Sequence, residues 1–479
     1  MRNSNTRQQE LRKNLMVNEP IPQLIAKMAI PTIVAFLITS IYSLADTYFV
    51  SILGTNATAA VSVNASLDQL IMMCGSMLAI GANSYIARLL GENNEKKASQ
   101  VLSTAFILAA IIGTVLLIFG TLFRMPMVRL LGATPTCENY ASDYASFVLY
   151  AAPFMATSFV MNQCLRSEGS ATLSMIGMGF GGVLNCILDP IFILSKGDPL
   201  FGSLVMPFGL GMGVAGASLA TAISKVVSFV ILIFPYIARR SILHLSIKNF
   251  LFSKDIVGQI VSIGSSSMFR NALAVISAIL LNDLAGNISD SVLAGIGVTT
   301  KIMMFPFSII LGFGTGFQPV AGFNWGAKRY DRVLESYRFA AIAAFVGSGI
   351  MAALLAIFAD PVIVAFAGND PEMRELGGLC IILQSIVLPF HGWVAVINML
   401  CAGLGNAKGA FLLATSRQGT CFLPILYPLT FLFGAYGIVS VQAVADILSL
   451  VFAIPIIIGM LKKINAARLA AETTQGESL

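Results

Sequence analysis

Twelve apolar runs, each long enough to cross a bilayer, punctuate this chain and leave it few ways to fold. A helix needs about 20 apolar residues to span the hydrocarbon core. Runs that meet this fall near 23–52, 57–90, 98–123, 140–165, 171–194, 211–236, 256–286, 291–325, 333–359, 377–403, 409–434 and 437–461. In lipid the backbone must satisfy its own polar groups, so each run reads as a helix. Of the residues, 57% are hydrophobic and 11% charged, against about a quarter charged in a soluble domain. The expected fold is an all-α polytopic membrane protein with twelve transmembrane helices.

The runs form two matching sets. Gly81-Ala-Asn-Ser-Tyr-Ile-Ala-Arg-Leu-Leu-Gly91 ends an apolar run with a glycine and a charged loop, and Gly316-Phe-Gln-Pro-Val-Ala-Gly-Phe-Asn-Trp-Gly326 does so 235 residues later. Met125-Pro126 and Asp360-Pro361, Pro153-Phe154 and Pro389-Phe390, and Gly169-Ser-Ala171 and Gly405-Asn-Ala407 keep that offset to within a residue. A repeat of this length is a duplicated membrane bundle. With six helices in each half, the halves run in the same direction and are related by a pseudo-twofold axis along the membrane normal. The predicted organisation is a tail (1–20), an N-lobe with helices 1–6 (21–238), a linker (239–255), a C-lobe with helices 7–12 (256–463) and a second tail (464–479).

Basic residues orient the bundle. One set of loops and helix ends holds Arg2, Arg7, Arg12, Lys13, Arg88, Lys96, Lys97, Arg239, Arg240, Lys328, Arg329 and others, while the opposite set holds only Arg124, Arg129, Lys196 and Arg374. The richer side faces the cytoplasm, so both termini are expected there, in a multi-pass protein of the cell's inner (plasma) membrane. The net charge of +6 thus calls for no nucleic acid. A full-length apolar span follows the N-terminal segment, which argues against a cleaved signal peptide. The seven cysteines form no Cys-x-x-Cys pair and read as packing residues. No phosphate-binding loop, His-Glu-x-x-His helix or nucleophile elbow is present, and His244 and His391 sit in no recognisable motif. The chain is not expected to be an enzyme or to carry a cofactor; uphill movement would draw on a proton or sodium gradient.

Ionisable residues inside a membrane are costly, at least about 2.5–3.5 kcal/mol near a helix centre, and so mark candidate sites. Asp46 and Asp189 both lie late in outward-running helices of the first half, at similar depth. Tyr42 precedes Asp46 by four residues and Asn185 precedes Asp189 by four, each pair on one helical face. Two carboxylates with an amide and a phenol suit a proton or a small cation, sodium included; an isolated aspartate near a helix end can equally be a structural hydrogen-bonding group. Asp68 and Asp283 are expected nearer the external interface and hydrated, and Glu168 in a solvated turn. Asp446 is a candidate secondary polar site. Met73, Phe154 and Met304 could line a cavity with soft, adaptable contacts, although packing or lipid contact accounts for such residues as well. Pro31 is a candidate hinge.

The runs Leu44-Ala-Asp46-Thr-Tyr-Phe-Val-Ser-Ile-Leu-Gly54, Leu165-Arg-Ser-Glu-Gly169, Asn185-Cys-Ile-Leu-Asp189-Pro-Ile-Phe-Ile193 and Gln318-Pro-Val-Ala-Gly-Phe-Asn324-Trp-Gly326 together resemble multidrug and toxic compound extrusion (MATE) transporters, from about Ile21 to Lys463. The resemblance implies two six-helix lobes around a central cavity with alternating access. It also implies export of bulky amphipathic, often cationic, compounds in exchange for protons or sodium; the duplicated fold itself is able to work as a monomer. Carried over by position, it assigns cation coupling to Asp46, Asn185 and Asp189.

One departure stands out. Family members with a cation site in the second lobe place an acid midway along helix 7, where this chain reads Ser265-Ser-Ser-Met-Phe-Arg270-Asn271. A cation site of that kind is therefore not expected. Arg270, Lys225 and Lys301 near mid-membrane, with Arg417 closer to the cytoplasmic side, leave a rival open: a flippase of the same superfamily moving a lipid-linked anionic substrate. Ion pairing at helix contacts is the plainer account of those four residues.

Overall fold

The computed structural model describes residues 15–201, 204–367 and 370–476; the basic residues Arg2, Arg7, Arg12 and Lys13 and part of each predicted tail lie outside them. The long helices run α1 (Ile21–Ser51), α2 (Thr55–Gly91), α3 (Glu95–Leu122), α4 (Glu138–Ser167), α5 (Ala171–Ile193), α6 (Gly213–Ile237), α7 (Lys254–Ile288), α8 (Asp290–Gly326), α9 (Tyr330–Ala367), α10 (Pro371–Gly403), α11 (Ala407–Thr415) and α12 (Phe422–Gly476). A π-helical turn, Ser416–Thr420, joins α11 to α12. Besides these there are a short helix, Arg124–Leu130, and an antiparallel ribbon of β1 (Pro199–Phe201) and β2 (Leu204–Val205) between α5 and α6. The all-helical expectation holds for the spans, and the ribbon lies outside them.

The twelve-span expectation depends on α12, whose 55 residues are far more than one crossing needs. Gly434 breaks it with φ 56° and ψ −128°, a backbone that only glycine adopts freely. The chain then doubles back. A Cβ at Gly437 would lie 2.0 Å from the Leu429 carbonyl oxygen, and Arg417 pairs with Asp446 at 2.7 Å across 29 residues. Two crossings therefore follow α10.

The repeat has a physical form. At Gly169 (φ 79°) the N–H groups of Gly169 and Ser170 reach back to Arg166 and Leu165 carbonyls at 2.9 and 2.8 Å. At Gly405 (φ 80°) those of Gly405 and Asn406 reach Ala402 and Cys401 at 3.2 and 2.8 Å. This is one helix-ending turn used twice, and its left-handed residue is why glycine recurs there. Asn93 and Lys328 likewise share left-handed φ values of 57° and 56°. Asn162 and Asn398 each brace the following helix, donating to the Ser174 and Ala410 carbonyls at 3.1 and 2.9 Å.

By contact the chain divides into two units. The first holds Val34–Ile86 and Asn94–Gly264; among its described residues the core is built on Leu67, Ile71, Tyr144, Val148 and Leu149. The second holds 15–33, Ala87–Asn93 and the described residues from Ser265 onward, with a core around Ile296, Phe422, Leu426 and Val441. The division cuts through α1, α2 and α7, because glycines let backbones meet there. A Cβ at Gly81 would sit 2.0 Å from the Ile260 carbonyl oxygen within the first unit, and one at Gly316 would sit 2.6 Å from the Ala29 Cα within the second. The cut in α1 falls just after Pro31, where the helix continues and Thr32 donates to the Met28 carbonyl at 2.8 Å.

Glu168 corrects the sequence reading. It is 1% exposed and accepts hydrogen bonds from the Ser241 hydroxyl and, at 2.8 Å, the Ile242 N–H. The turn Arg-Ser-Glu-Gly looks solvated in sequence, but the linker folds over it and needs an acceptor for its buried donors.

Asp370 caps α10 by accepting from the Met373 N–H at 3.0 Å and also receives the Ser291 hydroxyl at 2.6 Å. The Ser291 hydroxyl, with the Met373 N–H, holds its carboxyl below the usual carboxylate range. A depressed folded value means that the cap stabilises above the ordinary carboxylate pKa and fades as acid protonates it. Asp370→Ala is expected to lower the thermal midpoint in detergent at pH 7. Asp370→Asn retains a capping oxygen and should lose less of its midpoint between pH 5 and pH 3 than the parent; equal acid losses would remove the carboxylate from this account.

Candidate functional site

Four helices of the first unit each carry two polar side chains one turn apart: Tyr42 and Asp46 on α1, Asn64 and Asp68 on α2, Asn185 and Asp189 on α5, and Thr221 and Lys225 on α6. Four-residue spacing puts each pair on one face, and glycines bring those helices close. A Cβ at Gly182 would lie 2.9 Å from the Tyr42 ring and one at Gly181 only 1.8 Å from Ser228 Oγ, so α5 packs tightly on α1 and α6.

The carboxylates converge there. Asp189 and Asn185 are 0% and 2% exposed. The Asn185 amide donates to Asp189 Oδ1 at 3.0 Å and to Thr221 Oγ1 at 3.3 Å. Lys225 donates to the Tyr42 hydroxyl at 2.8 Å, with its ammonium 4.9 Å from that ring's centroid. Asp46 lies close enough to repel both Asp189 and Asp68, and Lys225 attracts Asp46 and Asp68. Buried Tyr144 of α4 lies within electrostatic range of all three acids. Four buried oxygens, Asp46 Oδ1, Asp68 Oδ1, Asn185 Oδ1 and Asp189 Oδ2, accept no hydrogen bond from the described residues, although buried acceptors are nearly always partnered. The arrangement brings acceptors of negative charge together with one tethered ammonium.

Asn185 and Asp189 are thus joined by a hydrogen bond, and Asp46 lies within electrostatic range of Asp189. Sequence reasoning placed Asp68 nearer the wet external interface and gave ion pairing at helix contacts as the plainer account of Lys225, whose ammonium lies where it attracts Asp46 and Asp68. Their four-residue pairing with Asn64 and Thr221 is the signal that places them. Asp283 is exposed.

The second unit contains a separate polar cluster. Asp446, 4% exposed, accepts from Arg417 Nε at 2.7 Å and from Gln442 at 3.2 Å, and the Arg417 guanidinium stacks 4.1 Å from the Phe307 ring centroid. Asp446, Arg417 and Arg270 line a cavity there, while Lys301 is exposed. Of the remaining cavity candidates, Phe154 packs edge-on against Phe229 at 5.2 Å, and Met73 and Met304 are half-buried.

Comparison with known proteins bears on this arrangement. The family model MatE matches residues 31–191 and again 266–428. The multidrug export protein MepA of Staphylococcus haemolyticus is 24% identical over 419 residues, covering 87% of this chain and 89% of that protein. MepA of Staphylococcus saprophyticus is 26% identical over 426 residues, with coverage of 87% and 89%. Among solved structures, a MATE in complex with MaL6 aligns with a TM-score of 0.86 and 24% identity over 95% of this chain and 99% of that one. An outward-facing multidrug resistance MATE family transporter of the MOP superfamily aligns at 0.85 and 24% over 95% and 98%. These likenesses give the two-lobe helical fold. The two family matches begin 235 residues apart, the repeat spacing itself, and with twelve spans in two sets of six the chain belongs to the MATE family of membrane transport proteins.

Proposed function

We propose that this chain is a secondary active multidrug exporter of the plasma membrane. It exchanges small, bulky amphipathic organic compounds, many of them cationic, for protons by alternating access of its two lobes, with both termini cytoplasmic and the monomer as the working unit. The observation that carries this reading is the carboxylate cluster of the first unit, with buried oxygens that no described residue satisfies. Buried acids that crowd one another are where a membrane protein can load and release a proton. The Lys225 ammonium already sits among the acids, which suits a mobile proton better than a further metal cation. Relatives matching 87% of the chain are named multidrug export proteins, which supports drug export over movement of a lipid-linked substrate.

Ion and substrate must favour different states for exchange to occur. Uptake of a fluorescent organic cation into inside-out vesicles, with proton and sodium gradients imposed separately, tests the proposal. Accumulation is expected with the proton gradient alone. Sodium-driven accumulation would replace the coupling ion, and no accumulation under either gradient would overturn the exporter reading.

A further inference from the structure

The cavity of the second unit, about 230 Å³ in volume, has charges that do not cancel. Its charged and ionisable lining comes from Arg270 on α7, His391 on α10, Arg417 on the π turn and Asp446 on α12. A π turn inserts an extra residue into a helix and so re-aims its side chains, a device frequent at functional sites. Here it presents Arg417 to the cavity.

Arg417 has its counter-charge. Asp446 takes Nε at 2.7 Å and the terminal nitrogen at 3.4 Å, and Phe307 covers its face. Arg270 has none among the described residues: its one hydrogen bond there goes to Ser267 Oγ, at a long 3.4 Å, and Asp446, the single lining carboxylate, is already committed to Arg417. Arg270 is half-buried, with its remaining surface on the cavity. A guanidinium at membrane depth without a counter-charge is expensive, and five donors in a planar fork match a carboxylate in particular.

We infer that this cavity is a substrate subsite for the carboxylate of an amphipathic aromatic acid or zwitterion. The carboxylate pairs with Arg270, and the apolar body lies against Phe307, Ile310 and Met399. The proposal rests on the exporter reading and names a substrate class for it. One unbalanced positive charge matches a monoanion. A lipid diphosphate brings more charge than Arg270 can meet.

Equilibrium binding to the full chain in nanodiscs tests this with two probes, a fluorescent anthracene carboxylate and its methyl ester. The parent should bind the acid about tenfold or more tighter than the ester, as a desolvated charge-assisted pair provides. In R270Q the acid-to-ester preference should fall to about one, and in R270K, which keeps the charge without the fork, it should be intermediate. Thermal unfolding of each variant separates lost binding from lost fold, and R270K carries the test if R270Q does not fold. Equal binding of acid and ester by the parent, a preference that survives R270Q, or tighter binding of dodecyl phosphate than of the aryl acid would each overturn the inference. The binding assay uses no gradient. Failure of gradient-driven dye uptake would therefore strike the exporter reading alone, and failure of the acid preference would strike the subsite alone.

Discussion

Asparagine at Asp189 or at Asp46 is expected to give a folded protein that no longer couples export to the proton gradient. The exchange keeps size and shape, and an asparagine oxygen at position 189 can still accept the Asn185 amide that now reaches Asp189 at 3.0 Å. What it removes is the ability to bind and release a proton. Coupling between two ligands typically amounts to about 1–3 kcal/mol, or roughly 5–150-fold in relative affinity. Losing it should therefore cut gradient-driven accumulation at least about tenfold while leaving equilibrium binding of a cationic dye within a few-fold. The vesicle assay and a dye titration on the same preparations check both halves. Wild-type accumulation in Asp189→Asn would remove that residue from the coupling machinery. Asp68→Asn then measures the size of the cluster: a comparable loss makes three acids act as one unit, and no loss confines coupling to Asp46 and Asp189.

The repeat was legible before any coordinates because its cause is local. Gly169 and Gly405 end helices in a left-handed turn that other residues resist, so glycine recurs at the repeat spacing and can be read directly. The carboxylate pair was legible because four-residue spacing on a helix is a sequence property. Asp68 was harder to place. Thirteen residues separate it from the start of α2 at Thr55, which puts it about 20 Å along the helix, and only packing reveals that its level is that of Lys225. The burial of Glu168 was illegible for another reason: its donors belong to a linker more than seventy residues later in the chain, and polar turns look alike whether or not a strap covers them. The charged clusters lie where the halves differ. The first unit holds three acids and a lysine, the second holds Arg270 and the Arg417–Asp446 pair, and neither cluster is copied at the repeat offset.

Alanine at Gly81 or Gly316 is expected to destabilise the protein strongly, while the same change at Gly347 stabilises it or does nothing. Helix propensity alone favours alanine by about 1 kcal/mol at each position, so sequence rules predict one sign for all three. Contact geometry separates them. A Cβ at Gly81 would sit 2.0 Å from the Ile260 carbonyl oxygen, and one at Gly316 would sit 2.6 Å from the Ala29 Cα and 2.9 Å from its nitrogen. Both obstacles are backbone, so no rotamer change relieves them and whole helices must separate. Overpacking of this kind costs about 1–3 kcal/mol or more, enough to outweigh the propensity gain. At Gly347 nothing lies within 4 Å, and the gain stands. Thermal midpoints in one detergent at one pH provide the check, and a midpoint for Gly81→Ala at or above the parent's would mean that α2 and α7 do not cross as closely as described. Close crossing is the reason that these two glycines stand 235 residues apart. In a membrane, where lipid is as apolar as leucine, helices associate by shape more than by hydrophobicity. A duplicated bundle therefore keeps its glycines at the contact points even after its charged residues have diverged.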